Sequence, residues 1–197
     1  MELPAHNYFL WGPYLTKTKV EESLCEKLLT DGRLLRTSHR NHLAGKIEKE
    51  FKYDNLKYYQ KQFQPYIDSW IHGWYRQLGS KPAVTGKLVS LWINFQQKKE
   101  HNPVHIHPGA DVSFALHLTA PIDMINEKSE STGVAPGRLS FLYGEERAHT
   151  IAERSFTPEK NVMFMFPGNL RHYVTSFDSD VERISVAGNI KFEHATK

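Results

Sequence analysis

The chain has 197 residues, of which 40% are hydrophobic and 24% charged, a composition typical of one folded domain with a substantial core. Its 25 Lys and Arg against 22 Asp and Glu give a net charge of +3, too mild to indicate binding to nucleic acid or a membrane surface. No run of about 18 apolar residues occurs, so we expect no membrane span. The single Cys25 excludes an internal disulfide, and the start MELPAHNYFL lacks the pattern of a signal peptide. The sequence therefore predicts a cytoplasmic protein, or one of the host cytoplasm if it comes from a phage.

The first 80 residues are predicted to be mainly helical. In the first helix, Val20, Leu24 and Leu28 recur at helical spacing after Thr18, a candidate N-cap, and Gly32 is a candidate stop. A second helical pattern follows within residues 53–79, where an aspartate or asparagine precedes the apolar run and a glycine follows it. The segment between the two helices is predicted to be mostly loop.

After Gly86 the pattern changes to alternation of apolar and polar residues, which is typical of strands with one buried face. Residues 121–137 are rich in Ser, Glu and Gly and indicate a long exposed loop. Helices followed by many short strands predict a mostly β fold, a sandwich or jelly roll with helices packed on one sheet. The predicted strands are KLVSLWINFQ, DVSFALHL, GRLSFLYG, NVMFMFPG and ERISVAGNIKF.

Two of these strands carry polar groups on one face. His117 alternates with the apolar residues of its strand, and Arg183, Ser185 and Asn189 share one face of the last strand. A jelly roll needs only one apolar face of this sheet for its helices, so the other face can line a cavity. Polar side chains on that face indicate a binding site, because their burial would otherwise be costly.

The segment HNPVHIHPG contains the most concentrated set of potential metal ligands. His105 and His107 are two residues apart, so in an extended segment both side chains point the same way. His172, near the start of a late strand, is the candidate third ligand. Three ligands on one face of an octahedron leave three positions open, which suits Fe(II) chemistry with a bidentate cosubstrate and O2.

The order of these elements resembles the Fe(II)/2-oxoglutarate-dependent oxygenases, and among them the oxygenases of bacteria and tailed phages. The resemblance covers about residues 90–192 and consists of the W-x-N of residues 92–94, then HIHPG, SFALHL, FPGNLRH and the R-x-S of residues 183–185. It implies a cupin-like double-stranded β-helix, with oxidative decarboxylation of 2-oxoglutarate to succinate. On this basis residues 1–197 are expected to form one domain, with helical support in 1–80 and the β-helix core in 87–192.

The resemblance also implies roles for individual residues. His105, His107 and His172 match the positions of the family's Fe(II) ligands. Arg183 matches the arginine that binds the far carboxylate of 2-oxoglutarate. A guanidinium suits a carboxylate because it offers two parallel donors and stays charged. Ser185, two residues further on, points the same way and can add a hydroxyl group.

Three further residues are expected in the same cavity. His117 falls where many members of the superfamily have a tyrosine that donates a hydrogen bond to the same carboxylate. Trp92 and Asn94 match the W-x-N strand and face the cavity, so contact with substrate or cosubstrate is expected.

One feature departs from the usual pattern, in which the second ligand of the H-x-D/E pair is a carboxylate. Here the same spacing gives two histidines, and Asp111 is an alternative ligand if a turn at Pro108 and Gly109 brings it back to the metal. We favour the three-histidine set because His105 and His107 reproduce the ligand spacing without a special turn.

The sequence therefore predicts a 2-oxoglutarate-dependent dioxygenase, a hydroxylase that uses Fe(II), 2-oxoglutarate and O2 on an unidentified protein residue or small molecule. Two alternatives remain open. One is a cupin-type metalloprotein without 2-oxoglutarate, a three-histidine dioxygenase or an isomerase, which would not need Arg183 and Ser185. The other is a metal-free binding module on the same fold.

Overall fold

A computed structural model of the chain describes residues 12–128 and 134–194. The N-terminal stretch MELPAHNYFL and part of the loop predicted at 121–137 lie outside these ranges. Within them, no helix is long and apolar enough to cross a membrane. The helices are α1 (Glu22–Leu34), α2 (Leu56–Gln77), α3 (Ile122–Ile125) and a single 3-10 turn, Arg40–His42. The strands are β1 (Thr16–Lys19), β2 (Lys49–Lys52), β3 (Val84–Gln96), β4 (Asn102–His105), β5 (Val112–His117), β6 (Leu139–Leu142), β7 (Glu153–Phe156), β8 (Val162–Pro167), β9 (Arg171–Val174) and β10 (Arg183–His194).

The start of α1 differs from the prediction. Thr18 does not cap the helix, because it belongs to β1 and is paired with Met163 of β8. Gly32 does not end the helix either, since α1 continues to Leu34. Its role is close packing, because a Cβ at position 32 would lie 2.4 Å from a methyl carbon of Ile93.

The start of α2 confirms the predicted cap. The side chain of Asn55 accepts a hydrogen bond from the backbone N–H of Tyr58 at 3.2 Å, which satisfies one of the unpaired donors of the first turn. Gly79 follows the helix with φ of +66°, a conformation that glycine adopts without strain.

The strands form two antiparallel sheets. The large sheet has the order β1-β8-β5-β10-β3-β2, and the small sheet has the order β4-β9-β6-β7. Two strands of the large sheet, β1 and β2, come from the N-terminal part of the chain that was predicted to be helix and loop. Both occupy edges of the sheet, where short polar strands such as TKTK and KEFK are tolerated.

Two cores hold these layers together. The main core lies between α1, α2 and the apolar face of the large sheet, and includes Phe63, Ile93 and Phe114. A smaller core between the two sheets includes Phe141 and Phe164. The predicted architecture of two facing sheets with helices on one of them is confirmed, and the inner face of the large sheet is left to line a cavity.

Candidate metal centre and cavity

Three histidines from distant parts of the chain meet on the small sheet. His105 of β4 is directly paired with His172 of β9, and His107 follows β4 by two residues. One ring nitrogen from each lies within 4.8 Å of the others, and Nε2 of His107 is 3.2 Å from Nε2 of His172. Ligands about 2.1 Å from one ion in adjacent octahedral positions are about 3.0 Å apart, so this spacing fits a shared metal ion.

The protonation of these rings also suits metal binding. Nδ1 of His105 donates to the carbonyl of Pro103 at 2.7 Å, and Nδ1 of His172 donates to the carbonyl of Leu170 at 2.8 Å. In a neutral ring the proton on Nδ1 leaves Nε2 with a free lone pair. Burial lowers the pKa of all three rings, and in His107 it acts with the neighbouring His172 and His105 to bring the pKa to about 3. The rings are therefore neutral at neutral pH, as metal ligation requires.

A tight turn positions His107. Its backbone N–H donates to the carbonyl of Gly168 at 2.8 Å, and Gly109 in the same turn has φ of +83°. Gly168 packs so closely against the turn that a Cβ there would lie 2.4 Å from the carbonyl oxygen of Ala110. The orientation of His107 thus depends on contact between the turn and the residues just before β9.

The structure places Asp111 away from this cluster. One carboxylate oxygen of Asp111 accepts from the backbone N–H of Phe192 at 2.8 Å, and the same oxygen is 3.8 Å from Nζ of Lys191. The described group of side chains close enough to share a metal ion consists of the three histidines alone. Asp111 therefore joins its turn to the end of β10.

Arg183 lies deep in the fold, where the described residues offer it no acidic partner. Its side chain is 2% exposed, Nη1 donates to Oε1 of Gln96 at 3.1 Å, and Nη2 donates to Nδ1 of His117 at 3.2 Å. Burial lowers the pKa of Arg183 to about 10, so the guanidinium remains charged at neutral pH. No ion pair of the described residues involves it, which leaves a buried positive charge without its counter-ion.

His117 is fully buried beside Arg183. Because a guanidinium only donates, Nδ1 of His117 is the acceptor, and the proton of the neutral ring is on Nε2. Burial, followed by the charge of Arg183, lowers the pKa of His117, which keeps the ring neutral. Neither Nε2 of His117 nor Nε of Arg183 has a hydrogen-bond partner among the described residues. Two unpaired donors beside an unpaired positive charge fit one end of a dicarboxylate.

The unpaired polar atoms of the structure are concentrated on one sheet face. Cross-strand pairing puts Glu50, Asn94, Ser185 and His117 in one row across four strands of the large sheet. Nδ2 of Asn94 donates weakly to Oγ of Ser185 at 3.4 Å, while Oδ1 of Asn94 and Oε2 of Glu50 have no described partner. Buried polar atoms without hydrogen-bond partners indicate a ligand-binding site, since nearly all buried polar groups in proteins are paired.

A cavity open to solvent joins Glu50, Asn94 and Ser185 to the histidines. Trp92 is part of its wall, 3% exposed, with its ring centre 5.6 Å from that of His107. The polar residues that line the cavity come from both sheets and the turn after β4, and are Glu50, Asn94, Asn102, His105, His107, His172, Arg183 and Ser185.

Sequence reasoning missed Glu50 and Gln96. Glu50 lies in the charged run KIEKEFK, which has the pattern of a solvated surface, and β2 was not predicted. Gln96 lies at the end of the predicted strand KLVSLWINFQ, but its hydrogen bond with Arg183 was not predicted. The only available signal was its two-residue spacing from Asn94.

The two antiparallel sheets, with a polar cavity between them, place this chain in the class of double-stranded β-helix proteins. A family model described as "Putative 2OG-Fe(II) oxygenase" matches residues 90–189, half of the chain. The chain therefore belongs to the 2-oxoglutarate–Fe(II) oxygenase family. It is a 2-oxoglutarate-dependent dioxygenase that uses Fe(II), 2-oxoglutarate and O2, and the predicted class of enzyme is confirmed.

Solved structures share the fold at low sequence identity. An oxidoreductase of the 2OG-Fe(II) oxygenase family from Burkholderia pseudomallei matches with a TM-score of 0.60 and 11% identity, over 90% of this chain and 84% of that one. A prolyl-4-hydroxylase from Pseudomonas putida matches with a TM-score of 0.56 and 13% identity, over 93% and 94% of the two chains. A viral collagen prolyl hydroxylase from Paramecium bursaria Chlorella virus-1, in complex with 2-oxoglutarate, has a TM-score of 0.56 and 13% identity, over 91% and 96%. Among curated protein sequences, none matches this chain.

Proposed function

We propose that this dioxygenase is a hydroxylase in which His105, His107 and His172 hold Fe(II) and Arg183 holds the far carboxylate of 2-oxoglutarate. When bound, Fe(II) and 2-oxoglutarate supply the oxidising chemistry, with O2 consumed and 2-oxoglutarate decarboxylated to succinate. The observation that carries the proposal is that one cavity holds three neutral imidazoles and a buried guanidinium for which the described residues supply no counter-ion.

The proposed tasks of the chain's own residues follow from their contacts. The Nδ1–H groups of His105 and His172 donate to backbone carbonyls, which fixes both rings so that Nε2 is free to bind the proposed metal ion. Gln96 and His117 hold the guanidinium of Arg183 in place, so that its free Nε–H is oriented before the cosubstrate arrives.

Two other groups complete the proposed cosubstrate site. The hydroxyl of Ser185 and the side chain of Asn94 lie next to Arg183 on the same face and offer further hydrogen bonds. Trp92 and the apolar part of the cavity wall limit access of water, which favours productive oxidation of the substrate.

The primary substrate is proposed to be a residue of a protein or a small molecule. The prolyl hydroxylases among the structural neighbours support hydroxylation of a protein residue by analogy of fold. We further propose that the enzyme acts in the cytoplasm as one domain and does not bind nucleic acid, which the lone cysteine and the small net charge support.

Anaerobic calorimetric titration of metal-free protein with Fe(II), and then with 2-oxoglutarate, tests the assignment. Wild type is expected to bind both. His172→Ala should lose Fe(II) binding, whereas Asp111→Asn should retain it, because the asparagine oxygen can still accept from Phe192. Arg183→Ala should bind Fe(II) normally but lose about 2–5 kcal/mol of 2-oxoglutarate binding, which is roughly thirty-fold or more.

Each competing function predicts a different result in this titration. Absence of Fe(II) binding in wild type would identify a metal-free module, and Fe(II) binding without 2-oxoglutarate binding would identify the cupin-type alternative. Loss of Fe(II) in Asp111→Asn would overturn the three-histidine assignment.

A further inference from the structure

Glu50 is a buried carboxylate at one end of the row that Glu50, Asn94, Ser185 and His117 form across the large sheet. It lies on β2, is paired with Asn94 of β3, and is 1% exposed. Leu43, Ala44 and Asn102 line the same cavity. Oε2 of Glu50 has no hydrogen-bond donor among the described residues.

This arrangement is unfavourable for the protein alone. Burial raises the pKa of Glu50 to about 7, against a smaller opposite effect from Arg40 and with a further increase from Glu100. Arg40 is exposed and forms no ion pair with Glu50 within the described part of the chain. A buried carboxylate that lacks a donor is costly, so its retention is best explained by a partner from outside the chain.

The histidine cluster does not supply that partner. The described side chains close enough to share a metal ion are His105, His107 and His172, and Glu50 is not among them. The cosubstrate is not the partner either, because 2-oxoglutarate is itself an anion and its proposed partner is Arg183. Glu50 is therefore left for the primary substrate.

The cavity therefore has a positively charged end and an acidic end along the large sheet. Arg183 and Ser185 lie on β10, and Glu50 lies two strands away on β2, a separation of about 10 Å at the usual strand spacing. The positive end suits the anionic cosubstrate, and the negative end suits a cation. The histidines line the same cavity, so a group held at Glu50 shares that cavity with the proposed metal centre.

We propose that Glu50 recognises the primary substrate through a cationic nitrogen, an amine or a guanidinium such as that of a lysine or arginine side chain. This inference rests on the proposed function, since it assumes that Arg183 is occupied by 2-oxoglutarate. Pairing with a cation supplies the donors that Oε2 lacks and offsets the cost of burying the carboxylate.

Matched small probes test this assignment on protein loaded with Mn(II) and 2-oxoglutarate. The probes are N-acetyl-lysine methylamide and N-acetyl-norleucine methylamide, which share an unbranched side chain and differ in the ammonium group. Calorimetric titration of wild type should give at least about tenfold tighter binding of the lysine probe, or about 1.4 kcal/mol. Glu50→Gln should reduce this preference to near one, while keeping its affinity for Mn(II) and 2-oxoglutarate.

Glu48→Gln is the matched control, because Glu48 is exposed and lies two residues before Glu50. It should keep the full preference for the lysine probe. Equal binding of the two probes to wild type, binding of neither at millimolar concentration, or an unchanged preference in Glu50→Gln would each overturn the role of Glu50. Failure of Mn(II) or 2-oxoglutarate to bind is detected before any probe is added and would instead reject the proposed function.

Discussion

At the scale of single residues, the site depends on which atoms lack a partner. Five buried side-chain polar atoms of the described residues are unpaired, and four of them belong to Glu50, Asn94, His117 and Arg183. These four residues share the cavity face of one sheet. A protein that needed these groups only for its fold would pair them with one another, so their common location indicates a site built for ligands.

Glu50 gives a prediction about stability. Its pKa is about 7 in the folded protein and 4.5 in the unfolded chain, because burial disfavours the charged form. The folded state therefore binds the proton more tightly, and the carboxyl group costs stability as the pH rises from 4.5 to about 7. Relative to Glu50→Gln, wild type should lose up to about 3 kcal/mol of unfolding free energy over this range.

Urea denaturation of wild type and Glu50→Gln below pH 4.5 and above pH 7 measures this difference. Arg40 and Glu100 are the charged groups that act on Glu50, and both are unchanged in the variant. Glu48→Gln should show no comparable dependence on pH. A difference between wild type and Glu50→Gln that stays constant across the range would show that Glu50 titrates normally.

Sequence reasoning could identify some of these residues and not others. His105, His107, His172 and Arg183 were predicted to meet because their spacing and order follow a family pattern, and the structure brings them to one cavity. Glu50 could not be predicted, because its burial depends on the pairing of β2 with β3, which is a long-range contact.

At the scale of elements, the alternating pattern predicted the long strands well. The strand β3 separates Ile93 and Phe95 on the helix side from Trp92 and Asn94 on the cavity side, as the period of two requires. The edge strands β1 and β2 were missed because each is four residues long and rich in lysine, so neither has a clear apolar face.

The junction between the turn after β4 and the residues before β9 gives a prediction at this scale. Gly168→Ala would place a Cβ 2.4 Å from the carbonyl oxygen of Ala110, so the turn must move. Because the carbonyl of Gly168 also accepts from the N–H of His107, the movement should displace that ring. We expect Mn(II) affinity, measured by calorimetry, to fall about tenfold to a hundredfold.

Asn169→Ala is the matched control for this change, since Asn169 is the exposed next residue. It should bind Mn(II) as wild type does. If Gly168→Ala folds and binds Mn(II) with unchanged affinity, the contact between turn and strand does not position His107.

At the scale of the whole molecule, the two sheets contribute different groups to the cavity. The large sheet uses one face to bury the helices and the other to present the row from Glu50 to His117. The small sheet contributes His105 and His172 from paired strands. The proposed metal ligands and the proposed cosubstrate and substrate groups therefore approach one cavity from opposite sides.

A crystal structure of the protein soaked with Mn(II) and 2-oxoglutarate tests this account most directly. We predict Mn(II) bound by one ring nitrogen each from His105, His107 and His172, and the far carboxylate of 2-oxoglutarate bound to Arg183. A metal ion bound through Asp111, or 2-oxoglutarate seated away from Arg183, would contradict it.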